Sequence, residues 1–331
     1  MCDVPLPTSD PIYGDLQLRL HLDPDTVATT LERYVRPYYT ALSNGAYSPH
    51  FIAGSSITMK ADETHDQCVE DALDTSSPGA GAVLVVADAE NLSTEPGGWG
   101  RPGTPCAVPF CPARSTRRAA YVGSSDFHPD NGTVPLLDLI EHEIGHTLDL
   151  PHSGDASAMY DSVLDVMSNS AAPRDVQPRR KNAQDTIAVN RIALGWLPDE
   201  GMAIVGPTGG TFTLSPSAGE TGQRVLMVPI GDLSFLTVEY LADTGLDAFL
   251  PSGGVAVHRI DESPAACAAP VNGTCVGIDR QQVALGSNPP HRELLATNGS
   301  SWTVEGWTIT LVRSPSGTSD TAELALVPSS G

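Results

Sequence analysis

The first regular pattern along the chain is an alternation. Leu16, Leu18, Leu20 and Leu22 are separated by more polar residues, the period-two spacing of a half-buried strand over 12–22. Asp23, Pro24 and Asp25 then supply helix-start signals, and Val27, Leu31, Tyr34 and Val35 recur at helical spacing up to Pro37, which predicts a helix there. Strand character returns at 51–59 and 82–87, with a short helix over 67–73 between them. The run 90–118 is rich in Pro and Gly and has no periodicity that supports a core element, so a long surface loop is expected. Residues 119–124 predict one more strand.

The strongest helical pattern follows. Thr133 and Pro135 open it, and Leu136, Leu139, Ile140, Ile144 and Leu148 place an apolar face inward. A further helix over 183–194 comes after the basic residues Arg179, Arg180 and Lys181 and ends at Gly195, where a helix-terminating glycine belongs. From Gly201 the pattern changes to short strand-like runs at 224–230, 235–241, 254–260 and 307–312, divided by Gly and Pro turns. These patterns predict an α+β chain: a domain of twisted mixed sheet plus helices over 1–198, then an all-β, sandwich-like domain over 199–331. A length of 331 residues accommodates both.

Charge narrows the partners. A formal charge of -22 disfavours nucleic acid, whose phosphates need Lys and Arg. The acids are scattered singly, as on a solvated surface, although they also leave carboxylates available to calcium. No apolar run is long enough to cross a bilayer, and a monomer is expected. The six cysteines include no C-x-x-C pair, which favours disulfides and an oxidising compartment, hence a secreted protein. The nearest pairings are Cys106 with Cys111 and Cys267 with Cys275, leaving Cys2 for Cys68. Residues 1–10 lack a basic segment followed by an apolar one, so they are expected to be a mature or trimmed start.

The chemistry concentrates at His142, Glu143 and His146, an H-E-x-x-H on the strongest helix. Positions i and i+4 share a face and can present two imidazole nitrogens to one Zn²⁺. His152 is the expected third ligand. A straight helix would carry it about 9 Å past His146, too far for Zn–N bonds of about 2 Å, so the helix has to end. Asp149 stands where the chain must turn, because Asp tolerates the left-handed conformation, and Pro151 forbids regular continuation. Three nitrogens leave a fourth zinc position for water, and Glu143 is the expected general base. His21, His50, His65, His258 and His291 are expected to be packed or hydrogen-bonded residues. Asp126 to Asn131, with His128, forms an oxygen-rich loop before the helix that serves either as a capped turn or as a Ca²⁺ site.

His142 to His152 resembles the metzincin metallopeptidase motif H-E-x-x-H-x-x-G-x-x-H, with Asp149 in the glycine position. Asp165-Val166-Met167-Ser168 resembles the methionine turn of that clan, which implies that Met167 lies beneath the metal as an apolar floor. Some metzincins carry a tyrosine ligand two residues after that methionine; Asn169 stands there, so none is implied. Leu194-Gly195-Trp196-Leu197 is similar to gametolysin-like and immune inhibitor A-like secreted peptidases, as are Val238-Glu239-Tyr240, Thr244 to Asp247 and Gly254 to Asp261. That similarity implies a β-rich domain after the peptidase domain. Cys2 also resembles a cysteine switch, with a disulfide as the preferred alternative. The expected function is a secreted zinc endopeptidase acting on protein or peptide substrates. Its alternatives are a catalytically silent binding or adhesion protein, or a zinc amidase of a small or cell-wall substrate.

Overall fold

A computed structural model of the chain describes residues 1–3, 9–10, 14–15, 18–60, 63–77, 79–90, 97–103, 117–153, 160, 162–262, 279–282, 294–315 and 320–329. The fold is α+β, with several sheets and few helices.

The first helix spans Pro24–Leu42; Asp23 caps it by accepting from the Thr26 amide at 2.8 Å. It runs through Pro37 and past the expected stop. Pro37 removes one backbone donor, but Tyr38, Tyr39 and Leu42 continue the buried stripe of Val27, Leu31 and Val35 beyond it. Tyr38 donates to the Gln184 carbonyl at 2.7 Å and Tyr39 to the Glu141 carbonyl at 2.5 Å, so the last turn is anchored to the motif helix and its neighbour.

The strand expected over 51–59 shrinks to Ile57–Thr58, which pairs in parallel with Cys2–Asp3. The preceding residues lie in a loop, with Ile52 exposed. The N-terminal alternation gives only two-residue strands, Gly14–Asp15 and Leu18–Arg19. Cys2 and Cys68 form a disulfide across a sequence separation of 66, tying the first strand to helix His65–Thr75. Closing a loop of that size removes about 4 kcal/mol of freedom from the unfolded chain. Cys106, Cys111, Cys267 and Cys275 lie outside the described residues.

Ala82–Val86 and Arg118–Val122 pair in parallel, and Gly98–Arg101 adds to the latter as an antiparallel edge strand. That edge strand lies within the stretch expected to be a loop. It escaped the pattern because two of its four residues are glycines, which carry no periodic signal.

Beyond residue 201 the regular elements among the described residues are strands apart from one 3₁₀ turn, Gly245–Asp247. Five strands run in the order Met202–Ile204, Val225–Pro229, Ser234–Leu241, Gly254–Asp261, Asp279–Gln282. Four more run Gly210–Leu214, Ala322–Pro328, Trp307–Arg313, Ser301–Val304. Leu226, Val228, Leu236, Val238 and Val257 of the first sheet share one buried core with Leu214, Trp302, Ile309, Leu311 and Leu324 of the second. Alternating residues of both sheets thus face inward, as in a two-layer packing.

The five-stranded sheet also meets the helical part through polar groups. Glu239 accepts from the Ala188 amide at 3.0 Å, at the start of helix Ala188–Ala193. That helix is shorter than the 183–194 expected, because Ala183, Gln184 and Asp185 spend their donors on Glu141, Asp165 and Asp247 instead of on a helical turn. Arg191, 1% exposed, donates to the Leu42 and Thr186 carbonyls and to Ser217, and pairs with Asp185. A buried guanidinium is tolerated because these acceptors replace its water.

Candidate metal centre

The motif helix is Asp138–Thr147, shorter at its start than the sequence suggests. Leu137 occupies the cap position and offers no side-chain acceptor. The amides of Leu137 and Asp138 instead donate to the Lys181 carbonyl at 2.9 and 3.1 Å, so a neighbouring segment supplies the cap. The oxygen-rich loop before it is a pair of 3₁₀ turns, Ser125–Phe127 and Pro129–Asn131. Asn131 donates to the Ser125 and Asp126 carbonyls, and the Lys181 ammonium donates to the Asn131 carbonyl at 2.6 Å. His128 Nδ1 accepts from the Asp130 amide at 3.2 Å, which caps the second of these turns.

At the other end the helix closes as the metal spacing demands. Asp149 adopts φ 72°, the left-handed region. The Asp149 amide donates to the His146 carbonyl at 3.0 Å and the Leu150 amide to the Gly145 carbonyl at 3.2 Å, the two bonds of a Schellman turn. The chain reverses there, and His152 returns to the face carrying His142 and His146.

The imidazoles converge through Nε2. His146 Nε2 lies 3.1 Å from His142 Nε2 and 2.9 Å from His152 Nε2. His142 Nδ1 lies 2.7 Å from the Val166 carbonyl, and His146 Nδ1 lies 2.7 Å from the Leu150 carbonyl. A carbonyl only accepts, so each Nδ1 carries the proton and each Nε2 presents a lone pair. The His142 and His146 contact is therefore not a hydrogen bond. Two lone pairs aimed at one point repel unless a cation lies between them, and these donors could hold a metal ion in an arrangement compatible with a zinc site. Burial holds the His142 imidazole well below its usual range and lowers His146 and His152 to about 4, so all three are neutral, ligand-competent bases at pH 7.

Glu143 is 4% exposed, and its Oε2 is buried without a partner among the described residues. Burial raises its carboxyl to about 8; a cation nearby favours the ionised form. Edge strand Gly98–Arg101 lies directly over it. A Cβ at Gly98 would stand 3.1 Å from Glu143 Cγ, and one at Gly100 2.7 Å from His146 Cβ, so only glycines let this strand approach the helix. Among the described residues its outer edge has no strand partner.

Below the helix, Met167 is fully buried and packs against Gly145, while the Val166 carbonyl beside it orients His142. Asp165 fixes this turn: its carboxylate accepts from Ser153 Oγ at 2.5 Å, Thr186 Oγ1 at 2.9 Å, Asn190 Nδ2 at 3.1 Å and the Met167 amide at 3.2 Å. The bond to Ser153 ties the methionine segment to the residue after His152.

Tyr160 was not assigned a role from sequence. Its Oη lies 3.1 Å from His152 Nε2, and its ring centroid is 4.9 Å from that of His152 and 6.2 Å from that of His142. No spacing rule would have found it, since it reaches the site from the segment between the third histidine and the methionine turn. The other described histidines stand apart, and His291 lies outside the described residues. His258 is buried in strand Gly254–Asp261, 3.6 Å from Glu239, while His50 is on the surface with Glu32. His65 is buried against Tyr121. Comparison with protein-family models, with curated proteins and with solved structures finds no match to this chain.

Proposed function

We propose that this chain is a secreted zinc-dependent endopeptidase of metzincin type. One observation carries the proposal: three imidazole Nε2 atoms converge on one point, and the residue after His142 is a glutamate whose buried Oε2 has no partner among the described residues. A structural metal site has no use for that carboxylate. His142, His146 and His152 would hold the ion, and zinc would supply a water of lowered pKa and polarisation of a carbonyl.

The chain's own residues do the rest. Glu143 takes a proton from the attacking water on its free oxygen and returns it to the departing amine. Tyr160, half-exposed at the cleft, donates its hydroxyl to the oxygen on which charge develops. The Cys2–Cys68 disulfide favours export.

The test is Glu143→Gln. Zinc content should match that of the parent, and cleavage of unfolded casein should fall by about 100-fold or more. A chelator should abolish parental cleavage and zinc should restore it. Equal cleavage by the variant would reject the mechanism. Zinc binding with no cleavage by the parent would favour the silent-scaffold alternative.

A further inference from the structure

A second cavity lies behind the motif helix. It encloses about 520 Å³ between the first helix, the loop 47–54, the strands Ala82–Val86 and Arg118–Val122, and the end of the motif helix. Val27, Leu31, Phe51, Leu84, Ile144 and Leu148 make most of its wall. Ile144 and Leu148 sit roughly 120–160° around the helix from His142 and His146, on the opposite side from the metal ligands.

Two features say what would enter it. The chain carries 40 Asp and Glu against 18 Lys and Arg, yet among the described residues no carboxylate side chain lines this cavity. Arg118 lies at its mouth, exposed, close enough to Tyr47 to act on its phenol, and among the described residues it has no acidic partner. The other basic side chain in the wall, His50, is already engaged by Glu32. Here one guanidinium without an acidic partner among the described residues stands beside an apolar space of ligand size.

We infer that the cavity behind the motif helix binds a medium-chain alkyl carboxylate, with its tail against Leu31, Ile144 and Leu148 and its carboxylate on Arg118. Each methylene buried should tighten binding about fourfold until the cavity is full. The guanidinium supplies a charge-assisted pair that a neutral head group cannot match. This inference does not depend on the peptidase reading, because neither the ligand nor the site touches the metal residues.

Decanoate and decanol are the probes, titrated into the full-length chain by calorimetry. Tyr47 lines the cavity and stacks on Trp196 at 5.9 Å, so tryptophan fluorescence gives a second signal. The expected result is one decanoate per chain, at least tenfold tighter than decanol, with octanoate weaker than decanoate. Arg118→Gln should remove the preference for the acid while leaving decanol unchanged, and Ala28→Trp, which fills the space, should abolish both. No saturable binding by the parent, equal affinity for acid and alcohol, or an unchanged preference in Arg118→Gln would each overturn the assignment. The acid-to-alcohol ratio in the parent decides the matter even if a variant fails to fold.

Discussion

Gly145 and Met167 pack so closely that a Cβ on the glycine would overlap the methionine sulfur. The glycine sits between the two motif histidines, on the side of the helix that faces the methionine turn, and the next turn of chain depends on that contact. Gly145→Ala should therefore destabilise the fold by about 1–3 kcal/mol, although alanine is the better helix former. Urea denaturation of the metal-free protein measures this, and a gain in stability would show that the contact is loose.

Asp149 holds φ 72° at a position where glycine would carry no steric penalty. Asp149→Gly should keep zinc and alter stability by less than about 1 kcal/mol, because relief of the left-handed strain is offset by the freedom glycine gains when unfolded. Asp149→Val, β-branched, should cost more and should lower metal affinity, since the return of His152 depends on this turn. Equilibrium denaturation and zinc competition with a chelator separate the two effects. Equal behaviour of the two variants would refute the account of the bend.

Tyr160→Phe keeps the ring and deletes only the hydroxyl. If that hydroxyl serves the developing charge, kcat should fall by about 100-fold with zinc content unchanged and KM little altered. Loss of zinc with no kinetic change in the reloaded enzyme would assign the phenol to metal retention instead.

His258 offers a check by pH. Burial lowers its pKa to about 3, below the unfolded value of about 6.5. Between those values the unfolded chain binds up to one proton more, so this group's stabilisation is complete above about pH 6.5 and is lost as pH falls toward 3, by at most about 1.4 kcal/mol per pH unit. Glu239, raised by burial to about 7, stays protonated in the folded chain across that window. The stability difference between the parent and His258→Phe should therefore slope with pH over 6 to 4. A flat difference would place the imidazole in contact with water.

Much of this protein is legible without coordinates. The helix periodicity, the i and i+4 histidines, the need for a bend at Asp149 and the strand runs after Gly201 follow from local geometry, because a period or a ligand distance constrains residues near in sequence. The pairing of Cys2 with Cys68 also emerged, from the spacing of the other cysteines.

Tertiary structure decided the rest, and in each case the cause is a neighbour distant in sequence. The first helix survives Pro37 because Tyr38 and Tyr39 anchor it to Gln184 and Glu141. Glycines at 98 and 100 have no pattern of their own and become a strand only where a helix lies beneath them. Tyr160 acquires a place beside His152 only once the chain has folded back. Sequence carries the periods and the ligand set; which side chains complete the cleft depends on packing between segments that no local spacing relates.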